Sequence, residues 1–253
     1  MRDPHSILIT GASSGIGAAL ARLYAAKGVG LALGGRDAGR LSAVAADCRA
    51  AGAEVSEAIV DVTDPSAMAS WISEADRRRP IDLVIANAGV SAGTADGLET
   101  PEQQRAIFGA NVGGVFNTVL PLLPAMRQRR RGQIALMSSL ASFRGFPGAP
   151  AYCASKAAVR VWGEGLRGDL LRTGITVSVI CPGFVVSAMT AGNPFPMPML
   201  MPAEQAASII RRGLARGKAR IAFPFPIYAG VWLLGVLPPA LTDSWLRRLP
   251  KKR

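Results

Sequence analysis

Near its start the chain runs Ile7-Leu8-Ile9-Thr10-Gly11-Ala12-Ser13-Ser14-Gly15-Ile16-Gly17. A short apolar run ended by a glycine turn reads as a buried strand, and the apolar-periodic residues behind it read as a helix over residues 16–26. The glycines let the backbone turn tightly and approach a bulky anion, while free amides at the helix start favour negative charge. A plain strand-to-helix turn is the competing explanation. The spacing Thr-Gly-x-x-x-Gly-x-Gly, set between a strand and a helix, favours the anion. Gly11, Ser13, Ser14, Gly15, Ile16 and Gly17 are therefore read as a dinucleotide cradle.

The same alternation continues outward. Apolar runs at residues 30–33, 55–60, 83–86, 134–137 and 176–180 read as further strands, with a seventh at 221–223. Helical periodicity separates them at residues 41–51, 66–78, 101–117, onward to 131, and 154–172. Strand-helix alternation at this pitch predicts an α/β fold, a doubly wound Rossmann-like parallel sheet of about seven strands with helices on both faces. Residues 193–202 carry enough prolines to forbid a regular helix or ladder strand. Residues 221–241 are uncharged and flanked by basic residues. Their prolines leave too short a run to span a bilayer, so a short apolar helix at a subunit interface or on a membrane surface is expected.

Composition narrows the chemistry. A hydrophobic share of 49% in 253 residues supports a packed core and suits one domain. Three scattered cysteines argue against a disulfide framework. His5 is the only histidine, which disfavours zinc sites and any Ser-His-Asp hydrolase, so no metal is expected. The net charge of +12 is concentrated in runs such as Arg77-Arg78-Arg79, Arg129-Arg130-Arg131, Arg247-Arg248 and Lys251-Lys252-Arg253. Solvated helix ends account for such runs more simply than an anionic surface does. No reading-head motif accompanies the charge, so nucleic acid is not expected as a partner. The first residues lack the apolar core of a signal peptide, which makes a cytoplasmic location the expectation, with membrane association through the C-terminal segment as the variant.

The second strand runs into Gly34-Gly35-Arg36-Asp37. Arg36 offers a planar, charge-assisted fork to a ribose 2′-phosphate, which favours NADP(H), with NAD(H) the alternative if Asp37 faces the ribose instead. Further on, Tyr152-Cys153-Ala154-Ser155-Lys156 sets a phenol and an ammonium four residues apart, on one helix face. A phenol is a poor acid-base group at neutral pH, and a nearby cation moves it toward the working range. The strand at residues 134–137 ends in Ser138-Ser139, thirteen residues before Tyr152.

These ordered motifs resemble the short-chain dehydrogenase/reductase family in its common form of roughly 250 residues, over about residues 5–190. The resemblance implies Tyr152 as general acid in reduction and general base in oxidation, with Lys156 lowering its pKa and binding the nicotinamide ribose. It implies Ser139 as the group that orients the substrate carbonyl, and Asn111 as the holder of a relay water. It implies Asp61 and Val62 at the adenine, Asn87, Ala88 and Gly89 at the end of the fourth strand, and Pro182, Gly183, Val185 and Ser187 around the nicotinamide. A substrate lid is expected at about residues 188–215, and an apolar and basic extension at about 224–253, within a single domain spanning residues 1–253. Phe195, Met197, Met199, Leu200 and Met201 would give the lid an adaptable apolar wall. The expected reaction is hydride transfer between nicotinamide and a carbonyl or secondary alcohol of an apolar small molecule. A homodimer or homotetramer built on the helices that carry Asn111 and Tyr152 is implied in the same way. A catalytically silent dinucleotide-binding sensor or scaffold is the alternative, and an epimerase or dehydratase of the same superfamily a third.

Overall fold

The computed structural model describes residues 3–92, 98–191, 193 and 195–248, so the basic run Lys251-Lys252-Arg253 and the N-terminal Met1-Arg2 lie outside the described residues. Seven strands form one sheet: β1 (Ser6–Thr10), β2 (Gly30–Gly35), β3 (Glu54–Ile59), β4 (Leu83–Ala86), β5 (Gly132–Met137), β6 (Ile175–Pro182) and β7 (Arg220–Phe223). Their order is β3-β2-β1-β4-β5-β6-β7, and every pairing is parallel. Such a sheet must be covered on both faces, which is why β1, β4 and β5 are buried end to end and largely apolar, with Ser6, Thr10 and Gln133 the polar residues among them.

Alternation within the strands sorts the core into two layers. Ile7, Ile9, Leu31, Leu33, Leu83 and Ile85 point to one face, and pack with helices α1 (Gly15–Tyr24) and α2 (Ala38–Ala50). Leu8, Val84, Ile134, Leu136, Val177 and Val179 point to the other, under helix α3 (Pro65–Arg78) and the crossover helices that follow. Helix starts are capped as their sequences dictate. Asp37 accepts the Arg40 amide, Asp64 accepts those of Ser66 and Ala67, and Thr100 forms a reciprocal box with Gln103.

The crossover between β4 and β5 differs from the expected pair of helices, one over residues 101–117 and another to 131. It is α4 (Pro101–Phe108), a π turn at Gly109–Gly113, α5 (Gly114–Val119), a 3₁₀ turn at Leu120–Leu122 and α6 (Leu123–Gln128). Glycines at 109, 113 and 114 and prolines at 121 and 124 loosen or remove the regular i to i−4 bonds. The whole stretch is long and apolar enough to cross a membrane, yet Val115, Val119, Leu122 and Met126 are buried in the second core layer. Helix α7 (Pro150–Asp169) begins four residues before the expected 154, which places Tyr152 inside its first turn. Pro150 presets the backbone there, and the buried Glu99 carboxylate accepts the Ala151 amide at 2.7 Å, capping the helix from 52 residues away.

The C-terminal third brings one correction and one addition. Beyond the short helix α8 (Ala188–Ala191), the expected lid at 188–215 includes α9 (Ala203–Ala215), whose Ala206, Ala207, Ile210 and Leu214 are buried in the first core layer. Helix α9 is part of the sheet's cover. The short apolar helix expected in the uncharged segment is present as α10 (Phe225–Val236), and a second helix, α11 (Pro239–Leu246), follows it after Leu237 and Pro238. The segment's prolines sit in the first turns and between the helices, where they start and stop helices.

Helix α7 lies close on the sheet because Gly163 lacks a side chain: a Cβ there would stand 2.5 Å from Leu136 Cδ1 and 2.7 Å from Val179 Cγ2. Gly165, two residues on, is exposed and has open space around it. Gly163→Val should lower stability by about 1–3 kcal/mol through overpacking. Gly165→Ala should raise it by about 0.5–1 kcal/mol through helix propensity. Thermal melts of the two variants check this, and shifts of the same sign would contradict the packing.

Candidate functional site

The strand order reverses between β1 and β4, and loops there must diverge to opposite faces, leaving a crevice beyond the carboxyl ends of the strands. A cavity of about 1030 Å³ occupies it. Its rim is held by a clip between the two diverging strands. The Thr10 hydroxyl accepts the amides of Asn87 and Ala88 at 3.1 and 3.2 Å. The Asn87 side-chain amide donates to the carbonyls of Thr10 and Gly11 at 2.9 and 3.2 Å. Gly11 takes φ +65°, and a Cβ on Gly17 would stand 2.2 Å from the Gly11 carbonyl oxygen. Those two glycines therefore let α1 start directly over the turn, with its free amides toward the cavity.

Gly11, Ser13, Ser14, Gly15 and Ile16 line the cavity, as do Asn87, Ala88, Gly89, Asp61 and Val62. Gly17 does not: it is buried in the contact between helix and turn. At the far end of this half stand Arg36, Asp37 and Arg40. The Asp37 carboxylate is engaged by the Arg40 amide and guanidinium at 2.9 and 2.8 Å, and the amide bond above all holds it below the usual carboxylate range. Arg36 is exposed and reaches only as far as 3.7 Å from Asp61. Asp61 is itself lowered, chiefly by the amide of Thr63 and further by that residue's hydroxyl.

Ser139, Tyr152 and Lys156 line the other half together with Pro182, Gly183, Val185 and Ser187. Ser139 caps the 3₁₀ turn Leu140–Ser142 by accepting the Ala141 amide at 3.1 Å. Burial raises the Tyr152 phenol above its ordinary value, and a hydrogen bond with the Ser139 hydroxyl acts in the opposite direction. Lys156 is 3% exposed, and its ammonium donates to the Met137 carbonyl at 3.0 Å. It stands 5.9 Å from the centroid of the Tyr152 ring, and burial pushes it down to about 8. Ser138, which precedes Ser139, fixes the helix at this level by donating to the Lys156 carbonyl at 2.8 Å.

Asn111 is brought to this region but stands behind the wall. It is fully buried in the π turn, accepts the Val90 amide at 2.8 Å, and donates to the Val90 carbonyl and the Ser155 hydroxyl at 3.0 and 2.9 Å. A Cβ on Gly89 would stand 2.8 Å from Asn111 Oδ1 and 3.1 Å from Lys156 Nζ, so Gly89 is the gap between them.

The expected lid wall is also revised. Of Phe195, Met197, Met199, Leu200 and Met201, only Phe195 borders the cavity. A bridge pairs Val185 with Met201 and buries that methionine in the core, while Met199 and Leu200 face outward. In their place Phe184, Met189, Ile227, Val231, Leu234 and Trp245 form the apolar wall. The spacing of Ile227, Val231 and Leu234 is that of one helix face and was legible in the sequence. Trp245 was not, because it comes from a separate helix beyond the break at Leu237 and Pro238.

Lys156 carries a stability signature that the sign of its shift defines. Its folded pKa of about 8 lies below the ordinary 10.5, so between those values the unfolded chain binds more protons and stability rises with pH. Relative to Lys156→Met, the wild-type protein without cofactor should gain roughly 3 kcal/mol from pH 8 toward pH 10.5. Denaturant titrations of both proteins across that window check it, and a constant difference would contradict the burial.

Comparison with known proteins agrees with this geometry. Residues 5–194 match the family model for short chain dehydrogenase. An uncharacterized oxidoreductase of Myxococcus xanthus (strain DK1622) is 42% identical over 247 residues, covering 97% of each chain. A short-chain dehydrogenase from Sphingobium yanoikuyae, solved in complex with NADPH, superposes with a TM-score of 0.81 at 26% identity, covering 98% of this chain and 97% of that one. A short chain dehydrogenase/reductase from Burkholderia phymatum, solved in complex with NAD, gives 0.83 at 27% identity over 100% and 98% of the two chains. On its fold, its switch-point cavity and these likenesses, the chain belongs to the short-chain dehydrogenase/reductase family and is an NAD(P)-dependent oxidoreductase.

Proposed function

We propose that the protein interconverts an apolar carbonyl and its secondary alcohol with NADP(H). One observation carries the reading: a single cavity has a polar arm ending in two arginines and an apolar arm in which Ser139 and Tyr152 meet Phe184, Ile227, Val231 and Leu234. A dinucleotide fits the polar arm on structural grounds, since the Gly11–Gly17 contact brings free amides to the cavity and Lys156 keeps charge there beside one carbonyl partner. Gly11, Ser13, Ser14, Gly15 and Ile16 would hold the pyrophosphate, and Asp61 and Val62 the adenine. Asn87, Ala88, Gly89, Tyr152 and Lys156 would hold the nicotinamide ribose, and Pro182, Gly183, Val185 and Ser187 the carboxamide side. When bound, the nicotinamide supplies or accepts the hydride.

The chain's own groups handle the proton. The Ser139 hydroxyl orients the carbonyl oxygen toward the Tyr152 phenol, which donates its proton as charge develops there and takes up another from solvent before the next turnover. Burial alone makes that phenol too weak an acid, and the Lys156 charge, confined where water cannot screen it, offsets this. Asn111 holds the Val90 backbone and Ser155 behind the lysine, and in this reading keeps the proton path in register. Asp37 is occupied as a helix cap, which leaves Arg36, with Arg40 beside it, to meet a 2′-phosphate and supports NADP(H) over NAD(H). A homodimer or homotetramer is proposed as the working assembly.

Tyr152→Phe should reduce the rate of NADPH oxidation with hydrophobic ketones by about 100-fold or more, far beyond the roughly tenfold loss of cofactor affinity expected from one missing hydroxyl contact to the ribose. Unchanged turnover would contradict the proton role. Arg36→Ala should weaken NADPH binding about 10- to 100-fold and NADH binding little, measured by fluorescence titration. Equal loss for both cofactors would contradict the 2′-phosphate assignment.

A further inference from the structure

Helix α10 carries no charged residue and is apolar around its whole circumference, yet none of its residues is buried. Its inner side, Ile227, Tyr228 and Val231, packs on the second core layer. Its outer side leaves Phe225, Trp232, Leu233 and Val236 49–72% exposed, and α11 adds Leu241 and Trp245 at 70% and 53%. A helix that is apolar all round is normally covered all round, and a contiguous exposed patch of this kind marks an interaction surface.

The patch is not a loosely held tail. Arg144 donates to the Thr242 hydroxyl at 2.6 Å and pairs with Asp243 at 3.4 Å, which ties α11 to the loop after Ser139. Gly235 lies so close to that loop that a Cβ would stand 2.4 Å from the Phe143 carbonyl oxygen. The exposed side is therefore presented in a set orientation.

Charge selects the occupant. Arg247 and Arg248 close α11, exposed and without an ion pair among the described residues, and the whole chain carries +12. A second copy would bring cations against cations, whereas an anionic lipid surface takes both the arginines and the apolar side chains. Trp232 and Trp245, one on each helix, suit the headgroup boundary. At 1.5 Å rise per residue the two helices are about 18 and about 12 Å long, each well short of the roughly 30 Å hydrocarbon layer, so they lie on a bilayer and do not cross it. The cavity opens at the same place, because Trp245 borders it and is also half exposed.

We infer that the α10–α11 corner docks on an anionic phospholipid surface, and that the apolar substrate enters from the bilayer past Trp245. The second clause rests on the proposed apolar carbonyl substrate, and the first does not. The test uses the full chain, with no substrate or cofactor, in cosedimentation with vesicles of phosphatidylglycerol and phosphatidylcholine or of phosphatidylcholine alone. The Trp232→Glu/Leu233→Glu double variant lies outside the cavity wall, and its far-ultraviolet circular dichroism and its turnover of a water-soluble ketone report whether it is folded. Wild type and Tyr152→Phe should both bind the anionic vesicles, with tryptophan fluorescence shifted to the blue, and the double variant about tenfold more weakly. Loss of turnover in Tyr152→Phe bears on the reaction, and vesicle binding by that same variant bears on the surface. Three results would overturn docking: no binding to either vesicle, binding equal in wild type and the double variant, or a drop in oligomeric mass in the double variant with vesicle binding unchanged.

Discussion

The constraint on which the site depends is an ammonium placed where water barely reaches it. Lys156 is 3% exposed and bonded to one backbone carbonyl. Burying a charge in this way opposes folding. The surroundings nevertheless hold it in place. Ser138 fixes the lysine's own carbonyl, Gly163 lets α7 sit down on β5 and β6, and Glu99 caps the helix one residue before Tyr152. Gly89 keeps open the space between the lysine and Asn111 that any side chain would fill. Stability lost at the lysine is met by the two apolar layers on either face of the sheet.

That arrangement gives the two halves of the cavity different work. The glycine turn and the Thr10–Asn87 clip are a matter of backbone shape, so they recognise an extended anion whatever its head. The far arm is built from side chains of the loops after β5 and β6 and of α10 and α11, elements free to vary without disturbing the sheet. The family accordingly follows from the first half, and the substrate from the second. Among the described residues, part of the strongly basic surface is ion-paired and part is not. Arg77 and Arg78 pair with Glu74, Arg129 with Asp76 and Arg131 with Asp82, whereas Arg247 and Arg248 stand beside the exposed apolar patch.

What was legible in the sequence was local. The strands, the glycine turn and the Tyr152–Lys156 pair depend on neighbours within a few residues, and the structure brings those residues to one cavity. What escaped was decided at long range. The start of α7 depends on Glu99, 52 residues upstream, and the burial of Met201 on a bridge to Val185. Asn111 points behind the wall because a π turn, which no simple period announces, sets its direction. The apolar wall draws on both α10 and α11 because Leu237 and Pro238 break the segment into two helices that each line the cavity.

The central claim is that the buried Lys156 charge governs the Tyr152 proton once a nicotinamide cofactor occupies the cavity. With only three tyrosines in the chain, the tyrosinate band in the near ultraviolet reports this directly. Titration of the protein with and without NADP⁺, for wild type and Lys156→Met, is the decisive measurement. Cofactor should lower the pH at which one phenol ionises in wild type, and Lys156→Met should abolish the shift. A phenol that titrates at the same pH in all four samples would contradict the claim.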